Sequence, residues 1–89
     1  MVVVIKNRKL FRARRVFDLT INELRMILLL ANERLNTYDE FRKFVYKNPK
    51  ITDQEIMDRV DQMSERLYLK VAINEYGCRM RSKISIKYE

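Results

Sequence analysis

Thr20-Ile21-Asn22-Glu23-Leu24-Arg25-Met26-Ile27-Leu28-Leu29-Leu30-Ala31 opens on a Thr-x-x-Glu spacing and runs into an unbroken apolar segment. In that spacing the threonine hydroxyl accepts from the third backbone N–H while the glutamate accepts from the threonine N–H, which marks a helix start. The segment from Met26 to Ala31 leaves almost no face for water, so this helix, expected to reach about Leu35, is the central one. The rest of the chain must pack around it.

The same spacing recurs twice downstream. Thr37-Tyr38-Asp39-Glu40 opens a short helix to about Tyr46, with Phe41, Phe44 and Val45 on one side and Asn48-Pro49 ending it. Thr52-Asp53-Gln54-Glu55 leads into a segment to about Ile73, with Ile56, Val60, Met63, Leu67 and Val71 on one stripe. Upstream, Val2 to Ile5 is β-branched. From Lys9 to Phe17, Phe11, Ala13 and Phe17 alternate in part with Arg12 and Arg14, so one or two short strands are expected. After Gly77 the period changes. Met80, Ser82, Ile84, Ile86 and Tyr88 alternate with Arg79, Arg81, Lys83, Ser85 and Lys87, which reads as a strand with a basic face. Leu69 to Glu75 would be the first arm of a terminal hairpin if the third helix stops early. The fold class expected is α+β: three helices, a short N-terminal strand or two, and a C-terminal hairpin or strand.

With 89 residues, 47% hydrophobic and 35% charged, the chain fits a single domain, 1–89: a basic strand arm over 1–19, a helical core over 20–76 and a basic strand over 77–89. One Gly and one Pro exclude collagen-like and linker-like chains. Cys78 has no partner for an internal disulfide, so a reducing, cytoplasmic setting is expected, whether at the nucleoid or in a host cell. The apolar runs, Met1 to Ile5 and Met26 to Ala31, are too short for a membrane span, so no membrane partner is expected. Histidine is absent, which removes imidazole chemistry and imidazole metal sites. The chain is read as no enzyme, with no cofactor and no metal. Cys78 has no base beside it, and a small buried thiol is expected even though Arg81 lies close in sequence.

The net charge of +7 is concentrated at the ends: residues 1–19 carry +5, residues 79–89 carry +3, and the middle is nearly neutral. Arginine predominates in the first run, with Arg12, Arg14 and Arg15 near its end, and its planar fork suits phosphate. In the third helix Arg59, Gln62, Arg66 and Lys70 form a ridge beside the buried stripe. Arg and Gln are the types that read guanine and adenine in the major groove. A plainer role for Arg59 is an ion pair with Glu55 one turn before it.

Leu19, Thr20 and Glu23 at the first helix, and Val60, Asp61, Leu67 and Lys70 in the third segment, give a spacing that resembles the OmpR/PhoB-type winged helix-turn-helix output domain. Tyr68 stands where that family has Arg, and its Gly-rich wing is missing. The resemblance implies a transcriptional regulator that binds duplex DNA. Arg59, Gln62 and Arg66 would face bases and Lys70 phosphate. Arg79, Arg81 and Lys83 would form a wing on the backbone, and Arg12, Arg14 and Arg15 would add phosphate contacts. No preceding receiver domain is expected, and phosphorylation control is not implied.

Two other readings fit the same arginines: a module that grips an acidic protein surface such as a polymerase subunit, and a sequence-blind binder of RNA or single strands. The latter calls for aromatic platforms, for which Tyr76 and Tyr88 are candidates, although Tyr at a sheet edge more often packs. A homodimer through Met57, Tyr68 and Leu69 is a further expectation.

Overall fold

Alternation at the N-terminus produces not one or two strands but three. The structure, a computed structural model, describes residues 2–88; Met1 and Glu89, and the side chain of Tyr88, lie outside the described residues. β1 (Val2–Lys6), β2 (Lys9–Arg12) and β3 (Arg15–Asp18) form an antiparallel meander. Its turns are two residues each. Asn7 and Arg8 both take positive φ, as does Ala13, the first residue of the second turn. Such turns match the twist of the flanking strands and usually carry glycine. Here Arg8 and Ala13 occupy those places, which hides the turns from a reading based on glycine. The turn at Ala13 also corrects the expected alternation. Phe17 lies opposite Leu10 and Phe11 opposite Val16, so Phe11 and Phe17 fall on opposite faces.

α1 (Ile21–Leu30) begins as expected: Thr20 and Glu23 form a full capping box. Met26, Ile27 and Leu30 are buried, whereas Ile21 and Leu28 are exposed, so the helix keeps one wet face after all. It stops at Leu30 rather than near Leu35. Asn32 supplies the reason: its side-chain oxygen accepts from the Arg34 N–H, and its amide exchanges hydrogen bonds with buried Asn36. These bonds favour a turn over another helical turn.

β4 (Asn36–Thr37) follows, then α2 (Tyr38–Glu40), which opens on the second capping box and widens into a π-helical segment, Phe41–Tyr46. Phe41 and Val45 are buried but Phe44 points to solvent. Lys47 ends the segment in the left-handed conformation, with φ 51°.

α3 (Asp53–Leu67) buries Ile56, Val60, Met63 and Leu67, the expected stripe less its last member. Only half of the third capping box is made, Thr52 accepting from the Glu55 N–H. The helix ends at Leu67, not Ile73. Tyr68 turns left-handed, the Leu69 N–H bonds back to the Ser64 carbonyl, and Arg12 donates to the carbonyls of Leu67 and Tyr68 at 3.0 and 2.6 Å. Val71 therefore belongs to β5 (Val71–Ile73), which pairs with β6 (Gly77–Met80). The expected continuous strand after Gly77 is broken: β6 stops at Met80 and β7 (Ser85–Tyr88) leaves to pair with β1 in parallel.

Among the described residues the fold is mixed α+β, with three helices and two sheets of order β3-β2-β1-β7 and β4-β6-β5. Val3, Ile5 and Leu10 from the first sheet, Cys78 and Met80 from the second, and the buried faces of the helices form one core. No helix among the described residues is long and apolar enough to cross a membrane.

Candidate nucleic-acid interface

Three of the cations named above, Lys70, Arg79 and Arg81, come together on the small sheet, with Lys83 in the concavity beside them. Residues directly opposite one another on paired strands point to the same side. Ala72 pairs with Arg79, and one step on the Lys70 carbonyl accepts from the Arg81 and Ser82 N–H groups at 2.8 and 3.1 Å. The Lys70 N–H in turn donates to Ser82 Oγ at 2.8 Å. Lys70, Ala72, Arg79 and Arg81 thus share the solvent side, while Cys78 and Met80 face the core.

Ala72 is the small residue among three long cations and lines two neighbouring concavities. One is lined by Lys70 and Arg81, the other by Arg79, Arg81 and Lys83 together with Glu33. Arg79 Nε donates to the Glu33 carbonyl at 3.0 Å, which fixes its stem. None of Lys70, Arg79, Arg81 or Lys83 has an ion-pair partner among the described residues.

The hairpin tip is different. Asn74 Oδ1 accepts from the N–H groups of Tyr76 and Gly77, giving a tight turn with Glu75 and Tyr76 at its end and no cation. Tyr76 is 67% exposed and does not pack as a sheet-edge tyrosine would. Tyr88, the other expected platform, has its side chain outside the described residues. The basic surface therefore lies on the flat of the hairpin rather than at its tip.

Arg59, Gln62 and Arg66 form a second group, lining a cleft between α3 and the start of α1 with Asn22, Glu23, Met26 and Tyr46. Lys70 does not join them, because the helix ends before it. Arg66 is committed: it forms an ion pair with Glu23, with Nε 3.1 Å from the carboxylate, and donates to the Asp18 carbonyl. Burial pushes the Glu23 carboxyl up, but the bonds from Arg66 and Thr20 and the charge of Arg66 outweigh it and hold the carboxyl below its usual range. Arg59 lies over the Tyr46 ring, 5.2 Å from its centre, rather than against Glu55. Burial raises the Tyr46 phenol, and Arg59 offsets part of that rise. Asp53, Glu55, Asp58, Asp61 and Glu65 also lie on the exposed side of α3. With only two arginines against these five carboxylates, the helix is a net anionic surface.

The third group, Arg12, Arg14 and Arg15, sits at the β2–β3 turn. Arg12 caps α3, and Arg15 covers the ring of Tyr68 at 4.6 Å. Tyr68 and Phe17 beside these arginines were not selected from the sequence as site residues. The three-residue spacing from Arg12 to Arg15 on a turn was the available signal for the site, but contact with Tyr68 needs the fold.

The expected dimer surface does not form as a patch, since Leu69 is buried and Met57 half-buried while Tyr68 is exposed. Cys78 is buried. Burial pushes its thiol up to about 11, a hydrogen bond with Tyr38 offsets part of that, and Arg81 lies on the other side of the sheet. The Tyr38 hydroxyl, raised by burial, donates to the Asn74 carbonyl. Compared with known proteins, the chain matches no family model, no curated protein and no solved structure.

Proposed function

We propose that the chain is a winged-helix-like domain that binds duplex DNA, gripping the phosphate backbone with the solvent side of β5–β6. The observation that carries this reading is the group Lys70, Arg79 and Arg81 around the small Ala72, with Lys83 beside it and no ion-pair partner for any of them among the described residues. Such a face neutralises phosphates and releases counterions on binding. The order α1, β4, α2, α3, β5, β6 supports it, because helices in this series followed by a strand pair are what the sequence resemblance implies. A role in regulating transcription follows from the same resemblance.

The part assigned to α3 is smaller than the resemblance implies. Its five exposed carboxylates oppose close approach to phosphate, and Arg66 is held by Glu23. Backbone gripping by the hairpin is therefore the primary contact, with Arg59 and Gln62 secondary.

Fluorescence anisotropy of a labelled mixed-sequence duplex, titrated over a range of salt, tests the proposal. Binding should show a negative log–log salt slope, and Arg79→Ala/Arg81→Ala should flatten it by about 2. Arg59→Ala/Gln62→Ala should change it little. Absence of binding even near about 50 mM salt would overturn the reading.

A further inference from the structure

The turn between β2 and β3 and the end of α3 together build a cup lined by Arg12, Ala13, Arg14, Arg15, Phe17 and Tyr68. Its chemistry differs from that of the hairpin face: two aromatic rings and three arginines line it together. The Phe17 and Tyr68 ring centres are 6.3 Å apart at an interplanar angle of 53°, and the Arg15 guanidinium lies 4.6 Å from the centre of Tyr68. Tyr68 is 60% exposed.

Two backbone facts shape the cup. Tyr68 sits at φ 56°, the left-handed position after a helix that glycine usually fills, so a large ring is kept there against its backbone preference. Ala13, also at positive φ, gives the turn a small side chain where it lines the cup. Arg12 is fixed by the terminal carbonyls of α3. No carboxylate among the described residues lines the cup, and the acid in β3, Asp18, pairs with Lys9 on the opposite face of the sheet.

We infer that this cup takes an unpaired nucleobase together with its phosphate. A base has the flat face that Tyr68, Phe17 and the Arg15 plane can stack against, and its phosphate has the charge that the arginines complement. A base inside a duplex is already stacked and cannot enter, so the cup selects single-stranded or extruded nucleotides. The inference rests on the phosphate-binding reading above and adds to it a second contact of different chemistry.

The test compares three labelled probes: a blunt duplex, an oligodeoxythymidine of about 12 nucleotides, and an abasic oligomer of the same length and charge. The wild-type protein is expected to bind the thymidine strand about tenfold more tightly than the abasic one. Tyr68→Gly should erase that difference and leave duplex and abasic affinities unchanged. Because this substitution relaxes the left-handed backbone, loss of folding does not explain such a result, and a circular dichroism melt verifies it. Arg14→Ala, at the exposed turn, should weaken both single strands alike. Equal wild-type affinity for the thymidine and abasic strands, or a difference that survives Tyr68→Gly, would overturn the inference while leaving duplex binding standing. Failure to bind any of the three would overturn both readings.

Discussion

The carboxylate of Glu23 ties two helices together, one oxygen accepting from the Thr20 N–H at the start of α1 and the other from Arg66 near the end of α3. One side chain thus caps one helix and positions the other. Its loss should cost both contacts: Glu23→Ala is expected to destabilise the fold by about 2 kcal/mol, read from urea unfolding.

The same pair sets a pH dependence. The folded Glu23 carboxyl lies below its unfolded value, so its stabilisation is complete above the ordinary glutamate value of about 4.3 and is lost as pH falls through the folded one. Glu23→Gln should flatten the acid limb of a stability-versus-pH curve. An unchanged acid limb would show that the ion pair contributes nothing.

Gly77 is required by space rather than by backbone angle. A Cβ there would sit 2.0 Å from the Asn36 carbonyl oxygen, inside the β4–β6 pairing. Gly77→Ala should therefore destabilise by about 3 kcal/mol, measured by a shift in the urea midpoint.

Lys47 gives the opposite case. It is exposed and left-handed, at φ 51°, after the π-helical segment. Lys47→Gly should stabilise the protein by about 1 kcal/mol in thermal or urea unfolding, since it removes the steric cost of a Cβ in that region. A destabilisation would mean that the Lys47 side chain makes an energetic contact in solution.

The Cys78 thiol should resist modification. With its pKa raised to about 11 and its sulfur buried, very little thiolate is available at neutral pH. Reaction with a disulfide reagent at about pH 8 should track unfolding, so its rate should rise with denaturant. Rapid stoichiometric labelling of the native protein would contradict the burial described.

Helix starts were legible in the sequence because each is a local exchange of hydrogen bonds: Thr20, Thr37 and Thr52 all cap where their spacing places them. So was the end of the second helical segment, at Tyr46 ahead of Asn48-Pro49, but the ends of α1 and α3 were not. α3 ends where Arg12, distant in sequence, meets the carbonyls of Leu67 and Tyr68, and no local pattern encodes that meeting. The turns at Asn7-Arg8 and Ala13-Arg14 carry no glycine, so the sequence marks no boundary between the three strands there. Of the candidate site, Arg79 and Arg81 were readable from alternation, whereas Lys70 was placed on a helix that does not reach it. Ala72 and Tyr68, which shape the two concave surfaces, have meaning only once the strands are paired.

The parallel pairing of β1 with β7 has a consequence for how the chain is made. On the ribosome the β1–β3 meander emerges before the other described elements, but one edge of β1 stays open until Ser85–Tyr88 arrives after all of them. Val2 to Ile5 is β-branched, the composition most prone to recruiting a foreign strand while that edge is bare. That edge of β1 thus stays bare while every described element between β1 and β7 is made, and β7 acts as the closing stitch against aggregation.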